Sequence, residues 1–344
     1  GAGFIGCNLA DRLAREGEHV AILDNLSRAG VERNLAWLKR RHPRHVTAII
    51  ADVRSAAARE AVTDGAGVFH LAAQVAVTTS LADPAHDFDV NLGGTLNLLE
   101  AARQRNSPPP FVLASTNKVY GDLASIALEP QDEAVVPLDA TIRRLGINED
   151  RPLSFHTPYG CSKGAADQYV LDYARAFGVP SAVLRMSCTY GPRQLGTEDQ
   201  GWVAHFLIRA CDREPITIYG DGRQVRDVLY VDDAVEAYVK VFRRIGRGGH
   251  AYNLGGGPGN AVSLRQMLAH IEALLGRRVE VGFTGSRPGD QRYYVSDTRR
   301  ITRALGLPPP RSWREGLRRL ADWVQQSRSR CAVPGMGAPA ETSP

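Results

Sequence analysis

Tyr159 and Lys163 lie four residues apart in Thr157-Pro158-Tyr159-Gly160-Cys161-Ser162-Lys163. Threonine followed by proline reads as the N-cap and first position of a helix, so the phenol and the ammonium share one helix face. A free phenol, with a pKa of about 10, is a poor base near neutrality. A neighbouring cation stabilises the phenolate and lowers that value. An isolated Tyr-x-x-x-Lys pair is more often a buried tyrosine beside a surface lysine, but this pair has company. Leu113-Ala114-Ser115-Thr116-Asn117-Lys118-Val119-Tyr120-Gly121 begins at the carboxyl end of an apolar run. There Thr116 can offer its hydroxyl to the same oxygen that Tyr159 deprotonates. The three side chains suit proton transfer to and from an alcohol.

A scaffold must bring these segments together, and its signature stands at the start of the chain. Gly1-Ala2-Gly3-Phe4-Ile5-Gly6 has two glycines three apart and leads into a helical stretch with Leu9 and Leu13 one turn apart and Gly17 placed to stop it. Backbone amides of Gly3, Phe4, Ile5 and Gly6 at such a turn can hold a pyrophosphate at the positive helix end. A strand and one more glycine are expected before this turn, so the chain reads as a fragment of a slightly longer protein whose first strand would lie mid-sheet. The run His19–Leu23 ends at Asp24, about 20 residues beyond the turn, where an acid accepts hydrogen bonds from an adenosine ribose and repels a 2′-phosphate. Asp24 therefore favours NAD, although Arg28 nearby would tolerate NADP. The bound nicotinamide ring would then add a second positive charge beside Tyr159. Val46–Ile50 ends at Asp52, and Val68–Leu71 runs into Ala72-Ala73-Gln74, whose small residues let a cofactor approach. Strands alternating with helices predict an α/β fold with a parallel sheet wound on both faces, and ligands beyond the carboxyl ends of its strands.

Further along, 87–106 reads as one long helix with Leu92, Leu96 and Leu99 on one side, and Phe111–Leu113 and Ser181–Leu184 as strands. The polar stretch 122–156 reads as a loop long enough to be a lid or substrate loop. After Tyr190-Gly191-Pro192 the alternation becomes irregular. The expected division is therefore 1–191 with 225–255 as the NAD-binding Rossmann domain, and 192–224 with 256–328 as a smaller substrate region. Trp313, Leu317, Leu320 and Trp323 predict a docked surface helix over 311–330, and 331–344 reads as a disordered tail.

Composition narrows the possibilities. The chain has 344 residues, 43% hydrophobic and 23% charged, enough for one large domain or two small ones. Lys and Arg number 42 against 37 Asp and Glu, and a net charge of +5 suits a small anion better than nucleic acid. Five scattered cysteines show no metal spacing and no disulfide framework, so no metal is expected and a reducing cytoplasm is the default. No apolar run approaches the roughly 18 residues that cross a bilayer.

With these segments in hand the sequence resembles the extended short-chain dehydrogenase/reductase family that acts on nucleotide sugars. The resemblance spans about 1–323. It rests on the glycine turn, Asp24-Asn25-Leu26-Ser27-Arg28, Asp52-Val53, Leu71-Ala72-Ala73-Gln74, Asn91, Val119-Tyr120-Gly121, Tyr159 with Lys163, and Tyr190-Gly191-Pro192. It implies tightly bound NAD held by Gly3, Phe4, Ile5, Gly6, Asp24, Asn25, Ser27, Arg28, Asp52, Val53, Leu71, Ala72, Ala73, Gln74, Asn91, Tyr159 and Lys163. It also implies Thr116, Tyr159 and Lys163 as the catalytic group, and a homodimer formed through helices including 87–106 and 162–177.

Departures refine this. Dehydratases of the family carry an Asp-Glu pair after the catalytic threonine; Asn117 and Lys118 stand here, which disfavours loss of water. Cys188 replaces an asparagine that contacts the sugar nucleotide in many members, and a packed thiol is its plainer reading. Ser154–Tyr169, Gly191–Trp202 and Ile216–Asp227 resemble the CDP-paratose 2-epimerase branch, also called CDP-tyvelose 2-epimerase. That likeness implies a CDP-sugar substrate oxidised to a keto-sugar and reduced again on its opposite face, and it alone selects C2. By the same analogy Arg226 and Arg287 would clamp the diphosphate. Thr116, Asn117, Cys188, Gln194, Gln200 and Gln224 are further substrate candidates. Alternatives are a UDP-sugar 4-epimerase, a decarboxylase of the same family, or a non-catalytic NAD-binding regulatory protein.

Overall fold

Phe111–Leu113 is wholly buried, the mark of a strand covered on both faces. In the computed structural model, which describes residues 1–331 apart from Pro288 and the side chains of 329–331, this strand runs on to Thr116 at the middle of a parallel sheet. The order is 249–254, 181–186, 111–116, 68–70, with Phe111 opposite Ser181 and Thr116 opposite Met186. Val20–Asp24 and Val46–Ile50 form a separate parallel pair, and among the described residues no ladder joins the two pieces.

Helix Thr157–Phe177 lies on this sheet and buries Ala166, Val170 and Tyr173 in one cluster with Leu99, Phe111, Leu113 and Val183. Gly164 allows its close seat, since a Cβ there would stand 2.3 Å from the Phe155 ring. Gly178, left-handed at φ 68°, ends it. The helix entry is strained: Thr157 has φ 63°, a region β-branched residues rarely occupy. The N-cap falls on His156 and Pro158 on the second turn position, yet Thr157 Oγ1 still accepts the Gly160 amide at 3.3 Å.

A second sheet centres on Val225–Tyr230, paired with Ala261–Ser263, Tyr293–Tyr294 and Cys188–Tyr190. Trp202–Asp212, Leu264–Leu275 and the last helix, Trp313–Cys331, pack there around their own core, with Trp313, Leu317 and Leu320 buried as their spacing predicts. The expected tail lies outside the described residues beyond Cys331.

Two expectations need correction. The 87–106 helix is interrupted: Pro84–Phe88 is α-helical, Asp89–Gly93 is a π turn, and Gly94–Arg103 is α-helical again. The π turn lets buried Asn91 hydrogen-bond across to Ser162. The 122–156 stretch is not a bare loop but a hairpin, Leu128–Gln131 with Ala134–Pro137, followed by helix Ala140–Leu145. Val135 is buried against Val225, Tyr293 and Val295, an apolar contact that the polar composition hides.

Candidate active site

The end of strand Phe111–Thr116 and the first turn of helix Thr157–Phe177 meet at two hydroxyls. The Tyr159 phenol hydrogen-bonds Thr116, whose Oγ1 also accepts the Lys118 amide at 3.2 Å. Lys163 is buried and its Nζ donates to the Ala114 carbonyl at 2.7 Å. Burial pushes the phenol up to about 12, with the Thr116 hydrogen bond pulling it down and the Asp87 charge adding to the rise. The expected lowering by Lys163 is not met within the protein itself: burial raises the phenol, and the downward pull comes from Thr116. Burial also brings the Lys163 ammonium down to about 8, against the pull of Asp167 and Asp87.

Beneath the pair lies a polar network that the sequence reading missed. Ser162 donates to Asp87, and Asp87 Oδ1 accepts Asn91 at 3.1 Å and Gln74 at 3.0 Å. Asn91 Oδ1 takes the Gln74 amide at 2.9 Å. Asn91 and Gln74 thus use side-chain hydrogen bonds to shape the loop after Val68–His70. Val53 is likewise turned inward, and its carbonyl accepts Asn97. No sequence motif announces Asp87; it is legible only as a carboxylate beside a helix.

The other predicted cofactor residues gather at the helix start. Helix Phe4–Arg15 has no side-chain cap and no acid in its first turn, which leaves its amides and positive end for an anion. A Cβ on Gly6 would stand 2.1 Å from the Gly1 carbonyl oxygen, whereas one on Gly3 would meet nothing within 4 Å. Asp24 closes the turn by accepting the Ala2 and Leu26 amides, each at 2.8 Å. Asn25, Ser27 and Arg28 are exposed around it. Asp52, held down at about 2 by Arg54 hydrogen-bonded to it, also accepts Asn25 at 3.2 Å. Leu71 packs partly against the core, while Ala72 and Ala73 are half-buried. A close glycine turn, an uncapped helix start, a ribose-height acid and small residues after the next strand all fit a dinucleotide.

The substrate candidates lie on several segments. Asn117 is buried and its Nδ2 donates to Gln291 at 3.0 Å. Lys118 Nζ donates to the Gly289 carbonyl at 2.9 Å and lies 3.6 Å from Asp290, with Arg226 and Cys188 near enough to act on its charge. Arg226 bonds Asp290 at 3.1 Å. Arg287 stacks 3.6 Å over the Tyr219 ring and donates to the Glu198 carbonyl at 3.0 Å. Gln194 Oε1 is buried without a partner, a state that calls for one. Gln224 donates to the Tyr219 carbonyl at 2.7 Å, and Gln200 sits in the 197–200 turn with its amide on the Thr197 carbonyl. The Cys188 thiol is raised by burial, as an inert packed thiol would be. Lys118, Asp290 and Gln291 were not among the sequence candidates. Among the described residues no His, Cys, Asp and Glu cluster could hold a metal, and no helix is long and apolar enough to cross a membrane.

A sequence model described as "NAD dependent epimerase/dehydratase family" matches residues 1–255. The chain belongs to the NAD dependent epimerase/dehydratase family. This member is an NAD-dependent enzyme with the family's Rossmann-like parallel sheet. It is 40% identical to a CDP-paratose 2-epimerase of Salmonella typhi, over 94% of this chain and 97% of the relative. It is 33% identical to a dTDP-glucose 4,6-dehydratase of Streptomyces griseus, over 95% of this chain and 93% of the relative. Among solved structures it resembles a UDP-glucose 4-epimerase of Thermotoga maritima with UDP-glucose (TM-score 0.80, 29% identity, 95% and 97% of the two chains). A UDP-glucuronic acid 4-epimerase of Bacillus cereus, in complex with UDP-glucuronic acid and NAD, gives a TM-score of 0.80 at 26% identity, with the same shares covered.

Proposed function

We propose that this family member epimerises a CDP-linked sugar at C2, converting CDP-paratose to CDP-tyvelose. The carrying observation is the Tyr159–Thr116 hydroxyl pair followed by Asn117 and Lys118, an amide and an ammonium. Oxidation and re-reduction need only a proton carrier at the sugar oxygen, whereas dehydration needs carboxyl chemistry one residue further on. The 40% identity to a CDP-paratose 2-epimerase supports the choice of substrate.

Tyr159 takes the proton from one sugar hydroxyl and returns it to the keto oxygen after the sugar turns. NAD, when bound, would supply the hydride acceptor and donor for that carbon. Thr116 supports the phenolate by donating to it, and Lys163 keeps a positive charge on the same helix face. Residues Gly3 to Gly6 and Asp24 hold the dinucleotide in this reading. Arg226 exchanges Asp290, and Arg287 exchanges Glu198 and Asp199, for the substrate diphosphate, and Gln194 offers its unpaired oxygen. The cofactor part comprises 1–191 with 225–255, and the substrate part 192–224 with 256–328. A homodimer forms through the helices at 84–103 and 157–177, where Phe88, Tyr169 and Phe177 are exposed.

The test is conversion of CDP-, UDP-, GDP- and dTDP-sugars with NAD, scored by product stereochemistry. CDP-tyvelose from CDP-paratose is expected. Inversion of a UDP-hexose at C4 with no reaction of CDP-paratose would replace this reading with the 4-epimerase one.

A further inference from the structure

We infer that Gln291 is a positioning residue for Thr116, acting through the amide of Asn117. The inference rests on the epimerase reading above, in which Thr116 and Tyr159 exchange a proton.

Two backbone carbonyls fix the Gln291 amide. Gln291 is 1% exposed. Its Nε2 donates to the Gly121 carbonyl at 2.7 Å and to the Asn117 carbonyl at 3.3 Å. Carbonyls only accept, so the Gln291 amide can have only one orientation, with Oε1 turned away from them. That oxygen accepts Asn117 Nδ2 at 3.0 Å, and this orients the second amide in turn. Asn117 Oδ1 is thereby left facing Thr116 Oγ1 at 3.3 Å, as an acceptor. Thr116 Oγ1 already accepts the Lys118 amide, so one lone pair remains for the Tyr159 phenol.

The 3.3 Å contact is long for a hydroxyl donor and is weak. The Thr116 hydrogen can therefore rest on Asn117 while Tyr159 is a phenol and swing to the ring oxygen once it is a phenolate. Were the Asn117 amide turned over, it would donate to Thr116 as Lys118 does. The oxygen would then be saturated, the protonated phenol would lose its acceptor, and only the phenolate would be supported. A residue 174 positions away in the chain thus decides whether both protonation states of Tyr159 are accommodated.

The full chain with NAD is tested as Gln291→Met, Asn117→Ala and the double variant, following kcat, KM and their pH profiles. Gln291→Met should lower kcat by about tenfold with little change in KM, and move the acid limb to lower pH. Added to Asn117→Ala it should cost nothing more. Additive losses, or an unmoved limb, would overturn the inference. If Gln291→Met does not fold, Gln291→Glu serves. A carboxylate facing two carbonyls must hold its proton, so a new fall in rate at high pH is expected, and a profile parallel to the unsubstituted protein would refute the role. Independently of turnover, the Asn117 carboxamide protons, seen by 15N-asparagine labelling, should exchange slowly in the unsubstituted protein and fast in the Gln291 variant. Equal exchange overturns the inference for any substrate. An unsubstituted protein that turns over no nucleotide sugar overturns the epimerase reading, and the role with it.

Discussion

The Arg185 guanidinium holds both carboxylate oxygens of Asp167, each at 2.9 Å, in the interior of the protein. This fork ties strand Ser181–Met186 to helix Thr157–Phe177 one turn beyond Lys163. Ser115 donates to the same carboxylate at 2.8 Å, so the neighbour of Thr116 is fastened to it too. On its other side Arg185 reaches the Tyr120 hydroxyl, which donates to Asn253 at 2.7 Å.

Removing one member of a buried pair strands the other charge. Asp167→Ala or Arg185→Met should each destabilise the protein by about 3–5 kcal/mol. The double variant should lose clearly less than the sum, as measured by urea unfolding in a double-mutant cycle. Additive losses would show that the two groups do not act as a pair.

Tyr159→Phe removes the proposed proton carrier and little else, since the phenol's hydrogen bond is to the Thr116 side chain. Turnover should fall by a factor on the order of 10² to 10⁴. NAD affinity, measured by calorimetry, should stay within a few-fold. An equal loss of both would make the residue a structural support.

Lys163 holds its proton only to about pH 8, because burial opposes the charge. Its ammonium serves the reaction below that pH, so the rate should fall as pH rises through about 8. Stability moves the other way: between about 8 and the usual lysine value of roughly 10.4 the unfolded chain binds the extra proton, and unfolding becomes harder as pH rises. Rate and melting temperature recorded across pH 7 to 10 should diverge, and parallel curves would contradict this assignment.

His70 is buried with its Nε2 2.9 Å from Thr95 Oγ1, and burial brings it down to about 3. The unfolded chain takes up that proton near pH 6.5, so stability should decline as pH falls from there toward 3. His70→Gln should flatten this part of the curve in urea midpoints measured against pH. An unchanged slope would assign the acid sensitivity to other groups.

Much of this was written in local patterns. The glycine turn, Asp24, the apolar runs, and the four-residue spacing of Tyr159 and Lys163 depend on periods of one strand or one helical turn, which neighbours along the chain dictate. Trp313, Leu317 and Leu320 announced their buried face in the same way. The hairpin at 128–137 did not show, because its buried face is little more than Val135 and its partners lie near 225 and 293. Nor did the π turn around Asn91, since Leu92, Leu96 and Leu99 lie within or beyond it and keep one helical spacing.

What the linear order determined was the set of groups and the scaffold type: a parallel sheet, a helix start suited to phosphate, and a phenol, an ammonium and a hydroxyl to handle a proton. Only the folded chain decided their charge states and bearings. Desolvation is a property of enclosure, so nothing local says that Tyr159 is raised to about 12 or Lys163 lowered to about 8. Likewise the direction of the Asn117 amide depends on Gln291, brought beside it by the crossing of distant segments, because an amide's two ends differ only in what they face.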